Sequence, residues 1–122
     1  IGSLEDFAND YRMSGGRGSL TQFCQIVEGT ATFSEAIQRQ IIFSTHSLAT
    51  DSTLNEFHCI VARGILPQFS KSLQYRVHNL FLQSLTRFGF VCLSSAESLH
   101  ATPHEGAFRK IDEVFPIYRR MR

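Results

Sequence analysis

The chain is 122 residues long, 43% apolar and 19% charged, with a formal net charge of +1. That length suits one domain, the composition is too apolar for disorder, and the charge gives no global field to draw in nucleic acid or an anionic membrane. No apolar run approaches the length of a membrane span, and no basic-then-apolar start resembles a secretory signal.

The pattern Ser/Thr-x-x-Glu occurs at Thr32/Glu35, Thr53/Glu56, Ser94/Glu97 and Thr102/Glu105. Random order would give roughly one such pair, and each reads as a capping box at a helix start. Residues 1–18 read as a flexible N-terminal helix or arm, and 19–122 as a single helical domain, taken as excised from a larger protein because the chain begins at Ile1 rather than Met.

Ser3 caps a helix from about Leu4 to Met13, with Glu5 and Asp6 in its first turn, where they complement the macrodipole. Ser14-Gly15-Gly16-Arg17-Gly18 breaks it. Ser19 opens a second helix with Leu20, Phe23, Cys24 and Val27 on one face and Gly29 as its stop. The Thr32/Glu35 box predicts a long helix to about Leu48, and the Thr53/Glu56 box predicts another carrying Leu54, Phe57, Ile60 and Val61 to Gly64.

Ile65-Leu66-Pro67 reads as an apolar connector packed on the core. Ser70 or Ser72 starts the strongest helix, to about Phe88, with a main stripe of Leu73, Val77, Leu80, Phe81, Leu85 and Phe88 and a second stripe of Tyr75 and Leu82. Gly89 ends it, and Phe90–Leu93 is the one short strand expected. Thr102-Pro103-His104-Glu105 then starts a last helix through Phe108, Ile111, Val114 and Phe115, which Pro116 ends. The expected fold is all-α, a compact bundle of about six helices around a Phe-rich core.

No chemistry assembles from these elements. His58-Cys59 and His100/His104 lack convergent metal geometry, so no metal is expected. Cys24, Cys59 and Cys92 read as buried free thiols in a reducing compartment, although a Cys–His pair formed only in the fold stays open. Gly15–Gly18 follows no strand and precedes no Lys-Ser/Thr, so it reads as a joint rather than a phosphate loop.

The leading expectation is a non-enzymatic, intracellular interaction or self-association domain. It binds a protein partner through an apolar surface rimmed by arginine, with no cofactor and no membrane. The binding set is Tyr75, Leu82, Arg109, Lys110, Tyr118, Arg119 and Arg120. The alternative is nucleic-acid binding through the basic 109–122 segment and a helix-turn-helix-like unit at 20–48 showing Gln38, Arg39 and Gln40. Glu35 in the first turn of that second helix argues against it, since it would face phosphates.

Overall fold

The computed structural model describes residues 3–54 and 56–122. It divides into two compact units, Ile1–Thr45 and His46–Arg122, each taken on its own below.

In the first unit, helix α1 spans Leu4–Met13 behind an N-cap at Ser3. The Ser3 hydroxyl accepts from the Asp6 N–H, and Asp6 accepts in return from the Ser3 N–H at 2.9 Å, so a capping box forms here with Asp in the Glu position. A 3-10 turn at Leu20–Phe23 leads into an antiparallel hairpin, β1 (Cys24–Val27) and β2 (Thr30–Phe33). Glu28 and Gly29, both at positive φ (50° and 77°), make its two-residue turn, the geometry that follows the right-handed twist of hairpin strands. The helix expected over 20–28 is therefore half strand. The long helix expected from Thr32 shrinks to one turn, α2 (Glu35–Gln38), behind Ser34.

The second unit is a βαβ element extended by a β-hairpin. Strand β3 (Phe57–Ala62) runs parallel to β4 (Leu85–Leu93), and helix α3 (Lys71–Ser84) crosses between them. Strands β5 (Phe108–Lys110) and β6 (Ile117–Arg120) follow. The sheet order is β3-β4-β6-β5, and β6 is antiparallel to both neighbours.

Sequence and packing agree on why α3 is a helix and its flanks are not. Ser70 accepts from the Leu73 N–H, and Val77, Leu80, Phe81 and Ser84 are buried at helical spacing. The flanking runs Phe-His-Cys-Ile-Val-Ala and Leu-Thr-Arg-Phe-Gly-Phe-Val-Cys-Leu are rich in aromatic, β-branched and sulfur side chains, which pack well on a pleated surface. One sheet face sends Ala62, Val91, Leu93 and Tyr118 into a core with Leu66, Val77, Phe81, Leu85 and Leu99.

The all-α expectation is thus overturned. Among the described residues three α-helices stand beside six strands in two sheets. The Thr53/Glu56 segment is followed at once by strand β3, and the last expected helix is replaced by a 3-10 turn at Glu105–Ala107 and by β5. Gly89 does not end a helix. α3 stops at Ser84, and Gly89 lies in β4, where an added Cβ would meet the backbone carbonyls of Thr86 and His58 at 3.0 and 3.1 Å. The core is not Phe-rich either: Phe81 is the buried phenylalanine, while Phe43 is 92% exposed and Phe7, Phe33 and Phe115 lie at half exposure or more.

Candidate functional site at the carboxyl ends of the parallel strands

Open α/β sheets take their ligands beyond the carboxyl ends of parallel strands, because the chain must turn there and expose backbone polar groups. In this unit those ends are Ala62 and Leu93. Beyond Ala62 the chain turns through Gly64 (φ +73°), which has open space where a side chain would stand. It then buries Leu66 at the start of a 3-10 turn, Leu66–Gln68. Beyond Leu93 it turns through Ser94 and returns Glu97 towards the first loop.

Glu97 joins the two loops. One carboxylate oxygen accepts from the Leu66 N–H at 2.9 Å; the other accepts from the N–H groups of Gly64 (3.2 Å) and Ser94 (2.7 Å) and from the Ser94 hydroxyl (2.5 Å). Burial alone would raise its pKa, but the hydrogen bonds from Ser94, Leu66 and Gly64 together outweigh burial and hold it below the ordinary carboxylate value. Half of the Ser94/Glu97 box therefore forms: the carboxylate takes the Ser94 N–H, but the Glu97 N–H bonds the Ser94 carbonyl and not its hydroxyl, and the pair ties two strand ends together instead of opening a helix.

Beside this tie a cavity of about 70 Å³ is lined by Leu66, Gln74, His78, Ala96, Glu97 and Ser98. His78, on α3, is 2% exposed, and neither ring nitrogen has a hydrogen-bond partner. Burial, and secondly the neighbouring His104, lower its pKa against the opposing pull of Glu97, so the ring is neutral near pH 7. A wider cleft of about 390 Å³ adjoins at Ser98 and is lined by Leu99, His100, Glu105, Phe108, Lys110 and Tyr118. Within it Glu105 contacts His100 Nδ1 at 2.5 Å and accepts from the Ala101 N–H at 2.9 Å. These bonds, His100's first, lower the Glu105 pKa.

The residues singled out from sequence are spread over several surfaces. Tyr75 and Leu82 are half-buried on α3. Arg109 and Arg119 are cross-strand partners, while Lys110 is opposite Tyr118 in the alternate position. Tyr118 belongs to the core, its hydroxyl bonded to Ser98 (3.1 Å) and to the Leu99 N–H (3.4 Å). The cations are largely engaged within the unit. Lys110 donates to the Glu113 carbonyl, Arg120 to the Leu85 carbonyl, and Arg119 lies over the Phe88 and Phe90 rings at 5.0 and 5.6 Å. From sequence, Glu97 reads only as a capping-box partner and Gly64 only as a helix stop, and nothing marks His78. The available signal was the pair of β-type runs on either side of an amphipathic helix, the mark of a βαβ unit.

Of the chemistry left open, no group of three His, Cys, Asp or Glu that could hold a metal exists among the described residues. No described helix is long and apolar enough to cross a membrane. Cys59 is exposed, and Cys24 and Cys92 are half-buried, so the thiols are less enclosed than expected.

Residues 17–115 match the family model described as CheR methyltransferase, SAM binding domain. A protein of Pseudomonas putida named "Putative methyltransferase Cher3" is 31% identical over 118 residues, covering 97% of this chain. The chain spans 43% of that relative's length. These matches overturn the expectation of a non-enzymatic interaction scaffold. The helix-turn-helix alternative falls as well, because residues 20–33 form a turn and a β-hairpin and not a pair of helices. With the parallel βαβ element and most of its length matched, the chain belongs to the CheR methyltransferase family, in its SAM-binding domain.

Proposed function

We propose that this chain forms part of an S-adenosylmethionine-dependent methyltransferase and supplies one wall of the cofactor site at the carboxyl ends of β3 and β4. The observation that carries the reading is the Glu97 tie. It presents the loops after two parallel strands as one preorganised surface, in the place where open α/β sheets receive ligands.

The donor set fits the cofactor on one side. S-adenosylmethionine combines a flat adenine, ribose hydroxyls, and a methionine part with a carboxylate, an ammonium and a sulfonium. When bound, it supplies an electrophilic methyl group to a nucleophile. Gly64, open where a side chain would stand, lets a flat group approach the backbone. The exposed Arg63 guanidinium suits a carboxylate, and Ser95 offers an exposed hydroxyl. Glu97 has both oxygens engaged by backbone and Ser94 donors, so it positions the loops and leaves the ribose and ammonium to other groups. In this reading those groups come from a longer polypeptide, as the 43% coverage of the relative suggests.

The test is calorimetric titration of the full-length polypeptide with S-adenosylmethionine and S-adenosylhomocysteine. Saturable binding is expected, weakened about tenfold or more in Glu97→Gln, equivalent to roughly 1.4 kcal/mol. Absence of binding at millimolar ligand by folded wild-type protein would sink the reading.

A further inference from the structure

One polar side chain of α3 is stranded. His78 is 2% exposed, and neither ring nitrogen has a hydrogen-bond partner. It lines the cavity of about 70 Å³ together with Glu97. That cavity is polar and large enough to admit water, so a proton can reach the ring. Two ionisable groups act on His78 from the segments around it. Glu97 lies in the loop after β4, and His104 stands just before the 3-10 turn at Glu105–Ala107. The other cavity residues, Leu66, Pro67, Gln74, Ala96 and Ser98, carry no charge.

We propose that His78 is a positioning residue for the loops after β3 and β4, and that its protonation releases the Glu97 tie. Release itself stands on the shared cavity; its effect on a ligand rests on the cofactor reading. With the ring neutral, Glu97 has both oxygens on the N–H groups of Gly64, Leu66 and Ser94. Protonation makes both ring nitrogens donors. A buried imidazolium needs a counter-charge, and the anion in its cavity is Glu97. The charged N–H donates to that carboxylate and outcompetes single neutral amide donors for it. The carboxylate turns towards α3, and the Gly64 and Leu66 N–H groups lose their acceptor. One proton passes from solvent to the ring, and no covalent bond changes.

Acid favours release. In the tied state burial, and then His104, hold the ring's pKa below 6.5. In the released state the ring gains the carboxylate and its pKa rises, so protons shift the balance to that state as pH falls below 6.5. Glu97 is still an anion there, because its donors hold its own pKa below 4.5. The acid therefore charges the ring without neutralising its partner.

The experiment follows amide hydrogen exchange in the folded full-length polypeptide between about pH 7.5 and about pH 5.5, corrected for the intrinsic pH dependence of exchange. Protection of the Leu66 N–H is expected to fall about tenfold or more in acid, while Val91, buried in the sheet, keeps its protection. Nuclear magnetic resonance of the His78 ring should titrate with the same midpoint. His78→Leu should keep Leu66 protected throughout, and His104→Gln, which removes the repelling ring, should move the transition to higher pH. S-adenosylhomocysteine affinity, measured by calorimetry, should fall about tenfold in wild type and stay level in His78→Leu. Bound ligand should in turn lower the ring's pKa by the same factor. Equal loss of protection at Leu66 and Val91 would overturn the proposal, since His78 would then affect only global stability. So would an equal loss at Leu66 in wild type and His78→Leu, or a ring that stays neutral throughout in the wild type. Release at Leu66 without ligand binding at any pH would support the proposal and overturn the cofactor reading. Level binding with Leu66 protected throughout would overturn the proposal and leave that reading standing.

Discussion

Replacing Glu97 with alanine removes the acceptor for four donors at the ends of two parallel strands. The Leu66 N–H is buried, and without its acceptor it loses about 2 kcal/mol, the usual penalty for an orphaned buried donor. The Gly64 and Ser94 N–H groups are only partly buried and regain water, so each adds roughly 0.5 kcal/mol. The expected loss is about 3 kcal/mol. Glu97→Gln should lose about 1–2 kcal/mol, since its carbonyl keeps one acceptor while its NH₂ faces donors. Urea unfolding reads both: at a slope of 1–3 kcal/mol per molar, the alanine variant's midpoint falls by roughly 1–3 M.

The pH dependence carries a defined sign. The folded pKa of Glu97 is below its unfolded value, so its stabilisation is complete above the ordinary value of 4.5 and is lost as pH falls through the folded pKa. Glu97→Gln should flatten that acid limb. A loss below about 1 kcal/mol in Glu97→Ala, or an unchanged acid limb in Glu97→Gln, would show that the carboxylate does not hold the strand ends.

His78 is buried with both nitrogens unpartnered, so His78→Leu should leave stability at pH 7 unchanged or raised by about 1 kcal/mol in the same unfolding assay. Its folded pKa is lowered, so wild type loses stability as pH falls from 6.5 towards that folded value, and His78→Leu should abolish that slope. Tyr118→Phe removes the hydroxyl from Ser98 and the Leu99 N–H and should cost about 1 kcal/mol on thermal unfolding; a neutral result would place the hydroxyl in water. Gly64→Val forces a β-branched residue to φ +73° and should cost about 1–2 kcal/mol, with weaker S-adenosylhomocysteine binding by calorimetry than Gly64→Asn, because Asn tolerates that conformation.

Much of the local grammar was legible in the residues. Ser3 does cap Leu4–Met13, Ser70 does cap the strongest helix, and Leu66 does pack on the core. The errors share one cause. A Ser/Thr-x-x-Glu pair satisfies backbone donors wherever the chain turns, and a helix is only one such place. At Ser94/Glu97 the turn follows a strand, and at Thr102 and Glu105 the side chains bond the Leu99 carbonyl and the Ala101 N–H instead of a first helical turn. Short apolar runs compounded the error, because four to six residues fit a helical stripe and a buried strand equally well. The box before Phe57–Ala62 argues for a helix there, yet the composition of that run is that of a strand.

What the sequence determined by itself is local: where the chain caps, where it turns, and that α3 has a buried stripe. These follow from contacts within one or two turns of a residue. What only the tertiary structure decided is long-range. Pairing of β3 with β4 depends on residues about thirty positions apart, and only that pairing joins Glu97 to Leu66. Strand partners come from side-chain packing across the whole sheet, so no window of neighbouring residues contains the information.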